Sequence, residues 1–121
     1  MEPIIAQLEK YNDNEYNLKI TGEYNPDIPD TLIIKPIGNI EAYNIEVFSK
    51  AILNTLKENE QIKNITIDLK SVPYMSSTGI GAIIHILAYV NKNKLTLTVL
   101  NVNEKIQVTF NLLGFDHFLN I

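Results

Sequence analysis

The sequence predicts an α/β fold: a mixed, mostly parallel sheet of about four to five strands with helices packed on it. Segments that alternate in the manner of half-buried strands are separated by segments in which apolar residues recur at helical spacing. The resulting order is strand, strand, helix, strand, helix, strand, helix, strand, which is typical of parallel strands flanked by helices. The 121 residues fit a single domain, which we assign to residues 15–121 after an N-terminal lead-in over residues 1–14.

The first two strands are expected to form an antiparallel edge of this sheet. Residues 16–21 alternate as in a half-buried strand. The segment 24–30 contains two prolines and is expected to be a loop, after which residues 31–37 form the second strand. Because Pro36 has no amide proton, it must lie at the end of this strand or on an edge.

The central part of the chain predicts a helix, a strand and a second helix. Gly38 and Asn39 end the second strand, and the first helix follows with one buried stripe. That stripe is expected to contain Phe48, Ala51, Ile52, Thr55 and Leu56. Residues 62–69 form the third strand, and the second helix runs from about residue 78 to 91. Its expected core positions are Ile80, Ile83, Ile84 and Leu87.

The C-terminal part predicts a strand, a helix and a short final strand. Residues 95–100 form the fourth strand, and Asn103 is placed to cap the third helix. Gly114 is expected to end this helix in the left-handed conformation, and residues 118–121 form the last strand. The apolar positions of the helix are Ile106, Phe110 and Leu113.

Composition excludes several classes of function. The net charge of −4 argues against a nucleic-acid partner, which would favour a basic surface. The chain has no cysteine, so it has neither disulfides nor thiolate metal ligands. Its longest apolar-rich stretch, residues 80–90, is shorter than the roughly 20 residues that span a bilayer. We therefore expect a cytoplasmic protein without a membrane span.

The segment 68–81 is the part of the sequence that most resembles a functional site. A strand ends at Asp68, the chain turns, and the hydroxyls of Ser76 and Ser77 lie where a helix begins. Asp68 is expected to accept hydrogen bonds from amide groups of the turn. Ser77 has two interpretations, of which the first is a helix cap, since a serine at a helix start usually caps the free N–H groups. It can also accept a phosphate, because those N–H groups and the helix dipole tolerate an anion.

Catalytic and cofactor sites are weakly supported. Ser76 or Ser77 would need a histidine as base, yet His85 lies about two helical turns further on, and nothing in the sequence brings His117 near. The two histidines are far apart in the sequence, so no metal site is predicted. Gly79 and Gly81 form a lone G-x-G without the rest of a nucleotide-binding loop, so no cofactor is expected. These glycines are expected to let the helix start lie close against the sheet.

Three segments resemble the STAS domain family, and within it the bacterial anti-sigma factor antagonists. That family has an Asp-Leu strand end followed by Asp-Ser-Ser-Gly-Leu-Gly. Here Asp68 and Leu69 are followed by Ser-Ser-Thr-Gly-Ile-Gly at residues 76–81. Residues 37–44 resemble the family's strand-to-helix segment, and residues 112–115 resemble its Leu-x-Leu-x-Gly-Leu helix end. Ser76 replaces the family's aspartate, and Thr78 replaces its second serine.

The resemblance implies a non-catalytic binding module with a phosphorylation switch. Such antagonists bind a serine-kinase anti-sigma factor and so regulate sigma-dependent transcription by partner switching. The kinase phosphorylates the first serine, which matches Ser77, and a metal-dependent serine phosphatase resets it. We expect a monomer or a weak dimer. By resemblance, the partner-binding residues are Ser76, Ser77, Thr78 and Gly79, with Gly38, Asn39, Tyr43 and Asn44 nearby.

Two alternatives remain open at this stage. The chain could be a STAS scaffold or a small-ligand-binding subunit of a stress-sensing or transport complex, marked by stable higher oligomers or a co-purifying ligand. It could also hydrolyse a substrate through Ser76 or Ser77, although the sequence shows no G-x-S-x-G elbow.

Overall fold

The structure, a computed structural model, describes residues 3–114 and the backbone of residues 119–120. It contains five strands and four α-helices, with a 3₁₀ turn between the first helix and the first strand. The strands are β1 (Leu18–Tyr24), β2 (Thr31–Gly38), β3 (Asn64–Asp68), β4 (Thr96–Leu100) and β5 (Leu119–Asn120). The helices are α1 (Ile4–Glu9), α2 (Ile45–Glu58), α3 (Ser77–Lys92) and α4 (Glu104–Leu112). The 3₁₀ turn covers Asn14–Tyr16.

The sheet confirms the predicted α/β architecture. Its strands lie side by side in chain order, with β1 and β2 antiparallel and every later pair parallel. The connections from β2 to β3, from β3 to β4 and from β4 to β5 therefore all run in the same direction across the sheet. Because such connections are right-handed, α2, α3 and α4 lie on the same face of the sheet. The shared core draws on all four helices through residues such as Ile4, Phe48, Ile83 and Ile106.

The helix α1 was not predicted by the sequence analysis, which assigned residues 1–14 to a lead-in. Leu8 is fully buried in the common core, opposite Gly22 of β1. A methyl group on Gly22 would lie 2.6 Å from the Ile33 carbonyl oxygen of β2 and 3.0 Å from the Leu8 side chain, so the glycine is required by the backbone of β2 and also leaves room for α1. A buried hydrogen bond of 2.8 Å from Asn59 to Gln7 also ties α1 to the end of α2.

Strands β1 and β2 differ from the prediction in their ends. Strand β1 begins at Leu18 and runs to Tyr24, which the sequence analysis placed in the loop. Pro36 lies inside β2 opposite Ile20, but the pairing of β2 with β3 ends at Ile34. Pro36 is therefore beyond the last β2–β3 hydrogen bond, as its missing amide proton requires.

The helix faces are partly as predicted. In α2 the buried residues are those expected. In α3, Ile84 and Leu87 are half-buried, and Ile86 and Val90 take core positions instead. Leu113 after α4 is 45% exposed rather than part of the core.

The structure tests part of what was predicted for the C-terminal end of the chain. Gly114 adopts the expected left-handed conformation, with φ of 79°. The last strand was expected over residues 118–121, of which Leu119 and Asn120 form β5. Phe115, His117, Phe118 and Ile121 lie outside the described residues. No helix among the described residues is long and apolar enough to cross a membrane.

Candidate functional site

Two loops meet at the start of α3. One connects β2 to α2, and the other connects β3 to α3. The amide of Ile40 donates to the Tyr74 carbonyl at 3.0 Å, and the amide of Ser76 donates to the Ile40 carbonyl at 3.0 Å. Ile40 and Met75 thus form a parallel bridge that joins the loops. The structure therefore brings together the two segments that carry the predicted site residues.

Ser76 is the N-cap of α3. Its hydroxyl accepts a hydrogen bond from the Gly79 amide at 3.1 Å, and its carbonyl accepts one from the Ile80 amide at 3.0 Å. The sequence analysis considered Ser77 for the cap, and this was wrong. Ser77 is the first residue of the helix, it is exposed, and no other described residue hydrogen-bonds to its hydroxyl. Thr78 is exposed beside it.

Gly79 allows the close packing expected of it. A methyl group at this position would lie 2.7 Å from the Met75 side chain and 2.8 Å from the Ile40 carbonyl oxygen. Because backbone cannot move aside easily at such distances, the first turn of α3 requires a glycine here. The same expectation was wrong for Gly81, which is exposed and has no atom within 4 Å of an added methyl group.

Asn44 lies in the interior beneath this surface. Its side chain is fully buried and makes three hydrogen bonds of 2.9 Å. It accepts from the Glu41 amide and donates to the carbonyls of Tyr16 and Asn39. Asn44 was predicted as a partner-binding residue, but its amide is inaccessible and instead fixes the loop that carries the surface.

The other residues of the β2–α2 loop lie at the surface or shape it. Gly38 has φ of 120°, and a methyl group there would lie 2.5 Å from the Asn17 carbonyl oxygen. Asn39 is half-buried, whereas Tyr43 is 51% exposed. The sequence analysis missed Tyr74, which is 47% exposed in the turn, two residues before the cap. A large aromatic residue in a turn next to two hydroxyls was the signal that pointed to it.

The stretch of chain on either side of Ser77 is free of charged side chains. No Asp, Glu, Lys or Arg occurs between residues 71 and 91. The carboxylate of Asp68 lies at the beginning of the preceding turn. Its partial burial opposes ionisation, but hydrogen bonds from Asn101 and from the Lys70 amide, together with the charges of Lys35 and Lys70, outweigh this and lower its pKa. The bond from the Lys70 amide, at 3.0 Å, confirms the predicted role of Asp68 in the turn.

The hydrolytic alternative gains no support from this geometry. His85 is exposed on α3, eight residues after Ser77, which corresponds to about 12 Å along a helix axis. A general base must come within hydrogen-bond reach of its nucleophile. Among residues 3–114, no three His, Asp or Glu side chains are grouped so that they could hold a metal ion.

Comparison with known proteins gives one family. A model of the STAS domain matches residues 24–121. The anti-sigma-B factor antagonists of Staphylococcus epidermidis and Staphylococcus aureus are 25% identical to this chain over 88 residues. Each match covers 73% of this chain and 80% of the relative.

Solved structures share the fold. The unphosphorylated anti-sigma factor antagonist SpoIIAA has a TM-score of 0.72 at 15% identity, covering 84% of this chain and 85% of that one. Phosphorylated SpoIIAA from Bacillus has a TM-score of 0.65 at 16% identity, covering 84% and 88%. An anti-sigma factor antagonist from Mycobacterium paratuberculosis has a TM-score of 0.68 at 16% identity, covering 86% and 84%.

Proposed function

The chain belongs to the STAS domain family, and from this membership we propose that it is an anti-sigma factor antagonist acting as a non-catalytic binding module. In this proposal it binds a serine-kinase anti-sigma factor in the cytoplasm and so regulates sigma-dependent transcription. The kinase phosphorylates Ser77 and the complex dissociates, after which a metal-dependent serine phosphatase restores the binding form. The protein acts as a monomer or a weak dimer.

The observation that carries the proposal is that two adjacent serine hydroxyls have different environments. Ser76 uses its hydroxyl to cap α3, and Ser77 presents its hydroxyl to solvent at the first helical position. A phosphate on Ser77 would therefore leave the cap intact. It would also lie where the unpaired N–H groups and the dipole of α3 favour an anion. These features support a modification that changes the surface and preserves the fold.

The absence of charged side chains near Ser77 in the sequence supports an electrostatic switch. The segment 71–91 has no formal charge, so phosphorylation would add about two negative charges to a stretch of chain that has none. Burying such a group against a partner without a matching cation is costly. A loss of about 1.4 kcal/mol in binding free energy weakens the complex tenfold. One phosphate in the contact surface supplies this readily.

The relatives support the same interpretation. The Staphylococcus proteins are named anti-sigma-B factor antagonists, and SpoIIAA has been solved in unphosphorylated and phosphorylated forms with this fold. In this chain Ser76 replaces the acidic residue of the family pattern. Since serine and aspartate are both good N-caps, the replacement retains the helix start.

The test compares charge at Ser77 with the same charge elsewhere. We expect Ser77→Asp to weaken binding of the purified cognate anti-sigma factor kinase about tenfold or more, and Ser77→Ala to bind like the wild type. Gln61→Glu adds one negative charge in an exposed loop at the opposite end of β3 and serves as the control. Equal binding by both Ser77 variants, together with stable higher oligomers or a co-purified ligand, would favour the scaffold function instead.

A further inference from the structure

Strand β1 is an edge of the sheet, and one part of that edge is covered by a side chain. Because β1 pairs with β2 alone, every second residue of β1 directs its amide and carbonyl groups away from the sheet. At Ile20 the side chain of Asn12 takes the place of a neighbouring strand. It accepts a hydrogen bond of 2.8 Å from the Ile20 amide and donates one of 2.9 Å to the Ile20 carbonyl. Asn12 therefore closes the edge at this point.

The same edge is open at Gly22 and Tyr24. Pro36 lies opposite Ile20 and has no amide proton, which agrees with the outward direction of the Ile20 backbone groups. Hydrogen bonding alternates along an antiparallel pair, so Gly22 and Tyr24 face outward as Ile20 does. No described residue forms a hydrogen bond with their outward-facing amide and carbonyl groups. A free edge of this kind is a template for pairing with another strand.

An apolar hollow lies beside this free edge. Its volume is about 350 Å³, and its lining includes Pro3 and Ile5 at the start of α1, together with Tyr24 and Pro26. Residues opposite each other in paired strands direct their side chains to the same face of the sheet. A strand added opposite Gly22 and Tyr24 would therefore direct every second side chain toward α1 and the hollow. The hollow favours apolar residues at those positions.

The distribution of charge indicates which kind of segment fits this edge. Residues 1–30, which include α1, β1 and the loop after β1, contain seven acidic side chains and two lysines. The rest of the chain contains seven acidic side chains and eight lysines. An acidic edge repels a second copy of itself and attracts a basic segment. Charge complementarity therefore favours a basic segment of another protein over a second copy of this chain.

We propose that the edge of β1 from Gly22 to Tyr24 is a second interaction surface, to which an extended basic segment of a partner protein adds a strand. Backbone hydrogen bonds hold this segment, and apolar side chains at every second position enter the hollow. Tyr24 pairs with Leu32 at the start of β2, whereas the Ser77 site follows the end of β2 at Gly38. The distance between the two ends of β2 is roughly 20 Å. The two surfaces are separate, so this inference does not depend on the function proposed above.

The test uses a peptide as a model of the partner segment. The probe is Lys-Val-Lys-Val-Lys-Val-Lys with blocked ends, titrated into the isotope-labelled full chain while NMR follows hydrogen exchange of single amides. We expect the Gly22 and Tyr24 amides to exchange at least about tenfold more slowly with the peptide bound, because they become hydrogen-bonded. The Ile20 amide already has a partner in Asn12 and should change little.

Two control peptides separate strand addition from the attraction of charge. One carries methyl groups on the valine amide nitrogens, which removes the donors that face β1 and keeps the charge. The other has glutamate in place of every lysine. We expect each to bind at least about tenfold more weakly than the probe.

Two variants of the protein test the contribution of the acidic edge. Asp27 is exposed and follows Pro26 of the hollow, and we expect Asp27→Asn to weaken binding of the probe about threefold. The matched control is Glu104→Gln, at an exposed position on α4, between β4 and β5 at the other side of the sheet. That variant should bind the probe like the wild type.

Several results would overturn the proposal. The first is a lysine peptide that does not bind at about 1 mM, or that binds and leaves the Gly22 and Tyr24 amides unprotected. Equal affinity for the methylated peptide would also overturn it, since charge alone would then hold the peptide. Protection of the same amides when the concentration of the protein alone is raised would show instead that a second copy occupies this edge.

Discussion

The Gly79 amide donates a hydrogen bond of 3.1 Å to the hydroxyl of Ser76, and this contact assigns the cap of α3 to the first serine of the pair. Ser77, one residue later, is left with an exposed hydroxyl. The two residues have the same chemistry and adjacent positions, yet the hydroxyl of one has a structural role and the hydroxyl of the other is exposed to solvent.

Replacing Ser76 tests the cap. We expect Ser76→Ala to lower the free energy of unfolding by about 1 kcal/mol, because the Gly79 amide loses its acceptor. Ser76→Asp should retain wild-type stability, since a carboxylate also caps and interacts favourably with the N-terminus of the helix. Chemical denaturation of the three proteins measures both effects. A Ser76→Ala protein as stable as the wild type would show that the cap contributes nothing.

Adding negative charge at Ser77 tests whether the site tolerates modification. We expect phosphorylated protein to unfold at the same temperature as unmodified protein, or slightly higher, because an anion at the first turn of a helix interacts favourably with its dipole. Thermal unfolding of both forms, followed by circular dichroism, is the measurement. A large drop in melting temperature would mean that phosphorylation acts by disrupting the fold rather than by altering a surface.

Removing the buried side-chain amide of Asn44 tests whether this residue fixes the β2–α2 loop that carries the site. Asn44→Ala would leave the Tyr16 and Asn39 carbonyls and the Glu41 amide without their partner, so we expect a loss of about 3 kcal/mol in unfolding free energy. Asn14→Ala, at an exposed asparagine, is the control and should change stability little. Comparable losses in the two variants would contradict the role assigned to Asn44.

The depressed pKa of Asp68 predicts a pH dependence of stability. Partial burial opposes its ionisation, but hydrogen bonds from Asn101 and from the Lys70 amide, together with the charges of Lys35 and Lys70, outweigh this effect. An acid whose pKa is lower in the folded state stabilises the fold above its unfolded pKa of about 3.9, and this contribution is lost as the pH falls through the folded pKa.

The wild type should therefore exceed Asp68→Asn in stability at pH 7 by on the order of 1 kcal/mol. We expect this difference to shrink as the pH falls below about 4. Asp27→Asn, the same change in an exposed loop, is the control. Unfolding titrations between pH 2 and pH 7 measure the effect, and a difference that persists unchanged at low pH would contradict it.

The sequence predicted the succession of strands and helices along the chain, including α2, α3 and α4, because most of these elements are long enough to show a clear period. Helix α1 has six residues and no side-chain cap, so it gives too short a pattern to detect. The core stripe of α3 was partly misplaced because nearly every residue from Ile80 to Val90 is apolar, and periodicity cannot then select one face.

Local sequence also could not assign the roles of the site residues. Ser76 and Ser77 are chemically identical, and only the helix boundary decides which of them caps. From the sequence, the polar residue Asn44 would be expected at the surface. However, one of its hydrogen-bond partners, the Tyr16 carbonyl, is 28 residues away in the chain. Burial of this kind depends on tertiary contacts that short motifs do not contain.

The most direct test of the account is the affinity of the purified cognate anti-sigma factor kinase for two forms of this protein. One form is unmodified, and the other carries phosphate on Ser77; both are titrated by isothermal calorimetry under the same salt conditions. We predict that the unmodified form binds and that the phosphorylated form binds at least about tenfold more weakly. Equal affinity of the two forms would contradict the central claim that Ser77 is the switch.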